Sequence, residues 1–175
     1  IKYLPFFPDK RAQGIEQIVR ARDKGLLTEV AGGLTLAYTY LESKDYEKAL
    51  AEFLPLTKRY PNSIIGQQML GRIYKSMKRT DDAAAAFKRC LEVDPTNSYS
   101  VLYLGEVYYS ARKHNLVAER YYEQFLTMDP PTDQQALAQY RLGQIARRFD
   151  WVDEAIGHFE QALALKSDMK HAERR

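Results

Sequence analysis

Apolar and small side chains recur along most of this chain at intervals of three and four residues, the spacing that gathers one face of an α-helix at about 3.6 residues per turn. The pattern is clearest between residues 64 and 97. Leu70, Gly71 and Tyr74 fall on one side of a first helix, and Ala83, Phe87 and Cys90 on one side of a second. Pro95, which cannot continue a helix, closes the unit behind Asp94. The same order precedes and follows this stretch. Leu36, Ala37 and Tyr40 lead to Ala49, Phe53 and Pro61, and Leu104, Gly105 and Tyr108 lead to Ala118, Tyr122 and Pro130. Leu142 and Gly143 lead to Ala155, Phe159 and Ala162, with Ala146 in the tyrosine's place and Ser167 in the proline's.

The order Leu-Gly-x-x-Tyr, then Ala-x-x-x-Phe, then Pro resembles the tetratricopeptide repeat (TPR), a helix-turn-helix unit of about 34 residues. The first-helix tryptophan of that family is replaced here by Gly33, Gln67, Val101 and Gln139. The resemblance implies an all-α fold, a right-handed superhelical solenoid in which each helix pair buries its apolar face on its neighbours. It divides the chain into residues 1–29, an extended aromatic segment plus an N-terminal capping helix; four repeats at 30–63, 64–97, 98–132 and 133–167; and a polar tail at 168–175. The tail reads as a cap helix, the start of another repeat, or a frayed end.

Local signals predict the helix ends. Residues 1–8 hold two prolines among apolar and aromatic residues and read as an extended segment, covering the first repeat or meeting a second subunit. Asp9 is a candidate cap for a helix running to about Lys24, with Ala12, Ile15, Ile18 and Val19 on one face and Gly25 as its stop. Thr28 or Glu29 opens the next helix, and Asp45, Thr80 or Asp81, Thr132 or Asp133, and Asp150 are the expected caps further on. Repeats two and three begin after Ser63 and after Asn97 or Ser98. Pro55 is expected to disturb its helix at Ala51, and the spacing from Pro130 to Gly143 predicts a first helix extended at its start in repeat four. The final helix is expected to end near Leu165, with Trp151 over the open end of its pair.

Composition adds exclusions. The 175 residues are 45% hydrophobic, and 26 Lys and Arg against 23 Asp and Glu leave a net charge of +3, too little to indicate nucleic acid or a membrane surface. No run of apolar residues is long enough to span a membrane. The chain starts at Ile1 without methionine, as an excised piece would, so the lack of a targeting segment says nothing of compartment. Cys90, the single cysteine, sits where the repeat needs a small contact residue and reads as a buried hydrophobe. No glycine-rich phosphate loop occurs, no nucleophile has a base in its own motif, and His114, His158 and His171 are dispersed. Glu154 and His158 share a face but lack further ligands, so neither a metal, a cofactor nor an enzyme is expected.

In tetratricopeptide solenoids the first helices line a concave groove, which the resemblance implies is the ligand site. Helical projection places Tyr38, then Arg72 and Lys75, then Tyr99, Glu106 and Tyr109, then Tyr140, Gln144, Arg147 and Arg148 on that face. Tyrosine and arginine are favoured at interfaces because they bury area while keeping a polar handle. The expected function is a protein-interaction scaffold, its partner a protein or peptide segment that is acidic or carboxylate-ended. Self-association through the solenoid ends, giving a homo-oligomer, is the alternative, followed by binding of single-stranded RNA. Family members that clamp a chaperone's C-terminal carboxylate carry Lys and Asn where this chain has Leu34 and Tyr38, or Gln68 and Arg72, so that clamp is not implied.

Overall fold

The computed structural model describes residues 10–25, 29–112 and 114–172, and its regular structure there is entirely helical. The helices are α1 (Arg11–Asp23), α2 (Glu29–Glu42), α3 (Tyr46–Arg59), α4 (Ile64–Ser76), α5 (Thr80–Val93), α6 (Ser98–Ser110), α7 (Asn115–Leu126), α8 (Thr132–Arg148) and α9 (Val152–Ala172). Each packs on the helix before it and the helix after it. The core is correspondingly drawn out along the stack. Leu36, Ala37, Phe53 and Ile73, then Phe87 and Leu104, then Tyr122, Phe125 and Ile145 are fully buried in succession.

The small residue in each first helix is where its partner helix comes closest. A methyl group on Gly71 would lie 2.6 Å from the Phe87 ring, on Gly105 2.8 Å from Tyr122, and on Gly143 2.7 Å from Phe159. The ring packs against bare backbone, which lets the paired helices come together. This contact explains why Leu-Gly and Ala-x-x-x-Phe recur as linked halves of one unit.

The turns inside the pairs share a device. Lys44, Lys78 and Asp150 take φ values of 62°, 60° and 59°, in the left-handed region. After each, the next backbone N–H reaches back to the carbonyl of Tyr40, Tyr74 or Ala146, at 2.9, 2.9 and 3.0 Å. That is the Schellman arrangement, built here without glycine. The turn at residues 111–114 is one residue longer than the other three.

Several expected helix ends differ. Ser63 and Asn97 cap α4 and α6 through their side chains, accepting from the N–H of Gly66 and Ser100. Asp45 precedes α3 without capping it, because its carboxylate accepts from Lys48 Nζ at 2.7 Å. Thr80 lies inside α5, whose cap position is Arg79, and Arg79 Nε binds Asp82 at 2.7 Å. Pro131 stands at the cap of α8, with Gln134 and Gln135 donating to its carbonyl, so neither Thr132 nor Asp133 serves. Asp150 occupies the preceding turn and Trp151 stacks on Phe149 at 4.8 Å. Asp9 and residues 1–8 lie outside the described residues. α3 runs continuously through Pro55, α8 has 17 residues against 13 in α4 and α6, and α9 continues past Leu165 to Ala172.

Candidate functional site

The first-helix face is built by α2, α4, α6 and α8, and its polar side chains meet across the seams between successive first helices. Gln68 Nε2 on α4 donates to Asn97 Oδ1 at the start of α6, at 2.9 Å. Lys75 Nζ lies 3.6 Å from Glu106 Oε2 on α6 and 5.8 Å from the Tyr103 ring centre. From α8, Arg141 Nε donates to Glu106 Oε1 at 2.7 Å, and the Tyr122 hydroxyl donates to the same oxygen at 2.7 Å. Tyr109 donates its hydroxyl to Gln144 Oε1 at 2.8 Å, and the guanidinium groups of Arg141 and Arg148 lie 4.7 and 4.1 Å from its ring centre.

Glu106 is therefore the hub of the face. Its side chain is only 14% exposed and has two cationic partners and a phenol. Burial alone would raise its pKa, but the hydrogen bonds from Arg141 and Tyr122 and the charges of Arg141 and Lys75 outweigh it and hold the carboxyl below its ordinary value. Burial and the adjacent Glu106 charge push the Tyr122 phenol strongly up, so this hydroxyl stays a donor.

The residues picked out by projection divide into three sets. Lys75, Glu106, Tyr109, Gln144 and Arg148 are engaged within the chain, Arg148 also donating to Asn115 Oδ1 at 2.7 Å. Tyr38, Arg72 and Tyr99 form a second group toward the N-terminal end. Arg72 lies 5.9 Å from the Tyr38 ring centre, and Tyr99 stacks on Tyr103 at 4.3 Å. Tyr140 leans on Phe159 of α9 at 5.7 Å, and Arg147 stands beside it on the wall of a groove between α8 and α9. Tyr38 and Tyr140 are 45% and 46% exposed. Projection on single helices missed Arg141 and Tyr103, both two residues before the small residue of their helix. Their signal is this shared register, which points toward the preceding first helix.

The remaining candidates for chemistry are held structurally. Cys90 is fully buried, its thiol directed at the carbonyls of Ala86 and Ile64, and burial pushes its pKa up, so it is a poor nucleophile. His158 Nδ1 pairs with Gln139 Oε1 at 2.7 Å rather than with Glu154, and His114 packs edge-on against Tyr108. Among the described residues no helix is long and apolar enough to cross a membrane.

Comparison with known proteins agrees with this architecture. Profiles of the tetratricopeptide repeat match residues 33–63, 66–97 and 114–170, together more than half of the chain. Among curated proteins, anaphase-promoting complex subunit 3 of Schizosaccharomyces pombe is 24% identical over 129 residues, which are 72% of this chain and 18% of that protein. The chain thus spans less than a fifth of that relative's length. Among solved structures, the crystal structure of MamA matches with a TM-score of 0.76 at 20% identity, covering 97% of this chain and 99% of that one. A thermophilic TPR protein of Thermus thermophilus matches with a TM-score of 0.65 at 19% identity, covering 95% and 92%. At such identities the structural likeness speaks for the fold alone. Motif, helix-pair packing and profile matches agree: the chain belongs to the tetratricopeptide repeat family, whose solenoids are protein-interaction scaffolds.

Proposed function

We propose that the first-helix face of this scaffold binds a peptide or protein segment bearing carboxylates, without catalysing a reaction on it. The observation that supports this reading is the charge left over on that face. Glu106 is taken up by Lys75, Arg141 and Tyr122, whereas Arg72 and Arg147 make no ion pair among the described residues. A guanidinium presents a planar fork of donors that suits a carboxylate, and the Tyr38 ring beside Arg72 supplies flat area at small entropic cost. Seam contacts keep the surrounding side chains in place before a ligand arrives, so the ligand bears most of the ordering cost.

The test is fluorescence anisotropy with a library of peptides having acidic residues or free C-terminal carboxylates. Arg72→Ala is expected to weaken the best ligand about tenfold, as loss of a charge-assisted contact does, with the helical circular dichroism unchanged. An affinity that is indifferent to Arg72→Ala removes this end of the face from the site.

A further inference from the structure

One face of α3 departs from the pattern of the other second helices. Glu47, Leu50, Ala51, Leu54, Pro55 and Lys58 follow one another at alternating steps of three and one residues, which makes a single stripe along the helix. They line a groove of about 580 Å³ beside Met77. Ala51 and Pro55 are exposed and Leu50 and Leu54 half-buried, so the middle of the stripe is apolar and open. Leu54 and Pro55 directly follow the aromatic contact residue Phe53. At those two positions α5 has Lys88 and Arg89, α7 has Glu123 and Gln124, and α9 has Glu160 and Gln161, as a solvated face requires. Pro55 also removes a backbone donor from the middle of its helix, a loss that has no benefit on a face meeting only water.

We propose that this stripe pairs with the same stripe of a second copy of the chain, the two α3 helices lying antiparallel across a two-fold axis. The charges at its ends identify the occupant. Glu47 is in the first turn of α3 and Lys58 in its last; both are exposed, and neither makes an ion pair among the described residues. With the axis at the level of residues 52 and 53, Glu47 of each copy faces Lys58 of the other, so the contact forms twice. The same register sets Leu50 against Pro55 and Ala51 against Leu54, where the small alanine leaves room for the leucine. Antiparallel helix dipoles also attract.

A parallel arrangement would set Glu47 on Glu47 and Lys58 on Lys58, which repel. Nor can another second helix pair with itself in this way. At the two end positions α5 has Asp81 and Glu92, α7 has Leu116 and Thr127, and α9 has Asp153 and Ala164, so none offers opposite charges. Contact along one helix of 14 residues is at the small end of specific interfaces, and the dimer should be weak, with Kd on the order of 10–100 µM. The proposal goes beyond the first-helix reading, because the stripe belongs to a second helix and lies outside that face.

Sedimentation equilibrium of the intact chain, from about 5 µM to about 500 µM, should show a reversible dimer. Ala51→Glu, at an exposed helical position, should abolish it while circular dichroism matches the parent. Glu47→Lys and Lys58→Glu should each weaken the dimer about tenfold, since symmetry applies every change twice. An equimolar mixture of those two variants should associate about as well as the parent, because each supplies the charge that the other lacks. Acidic-peptide binding at Arg72 should be unchanged in Ala51→Glu, which separates this surface from the first-helix site. A monomer throughout the concentration range, a dimer that survives Ala51→Glu, or a mixture no tighter than its components overturns the proposal.

Discussion

Glu106 carries a charge where burial works against it, and three donors from α4, α7 and α8 converge to keep it. Its folded-state pKa lies below that of an unfolded glutamate, about 4.3. The resulting stabilisation is therefore fully present above that ordinary value and is lost as pH falls through the lower folded-state value. Glu106→Gln keeps the shape but leaves Arg141 and Lys75 without their counter-charge. We expect it to cost about 1–3 kcal/mol near neutral pH in urea unfolding. The variant's stability should also change less than the parent's between about pH 7 and about pH 3, and an equal acid dependence in both would show that Glu106 is not the titrating group.

The paired helices turn on Lys44, Lys78 and Asp150, each left-handed at a position where glycine is the usual choice. Lys78→Gly removes the crowding of Cβ against the following carbonyl, and the partly offsetting loss is the greater freedom of glycine in the unfolded chain. The expected gain is about 0.5–1 kcal/mol, read as a higher melting temperature. These turns also explain why helix ends were less legible in the sequence than helix faces. Gly71, Gly105 and Gly143 announce themselves because an aromatic ring 16 or 17 positions on requires bare backbone beneath it, a demand local enough to survive in the residue order. Asp45 and Thr80 have the right chemistry for caps, but Lys48 claims the first and the start at Arg79 places the second inside the helix. Such competition is settled by neighbours that a capping rule does not weigh.

Along the whole stack, contacts run from each helix to the next, so a perturbation should be felt according to what covers it. Gly105→Val drives a side chain into Tyr122, which is fully buried and tied to Glu106, and should cost about 1–3 kcal/mol. Gly143→Val meets Phe159, whose ring borders the open groove and has room to swing, and should cost less than about 1 kcal/mol. Equal losses in chemical denaturation would contradict this gradient from interior to end. The same scale marks the limit of the candidate face. Projection about one helix axis turned Tyr140 away from its own partner helix, whereas its ring leans on Phe159 of α9. It had no means of seeing Arg141 cross to Glu106, since that crossing depends on how successive pairs are rotated. The rotation has a mechanical side. Hydrogen bonds or ion pairs cross the seams from α4 to α6 and from α6 to α8, while from α2 to α4 the first-helix side chains described meet through Arg72 over Tyr38. Pulled from its two ends, the solenoid would behave as a spring of uneven stiffness, yielding first between its first two helix pairs and transmitting force through the Glu106 region with little extension.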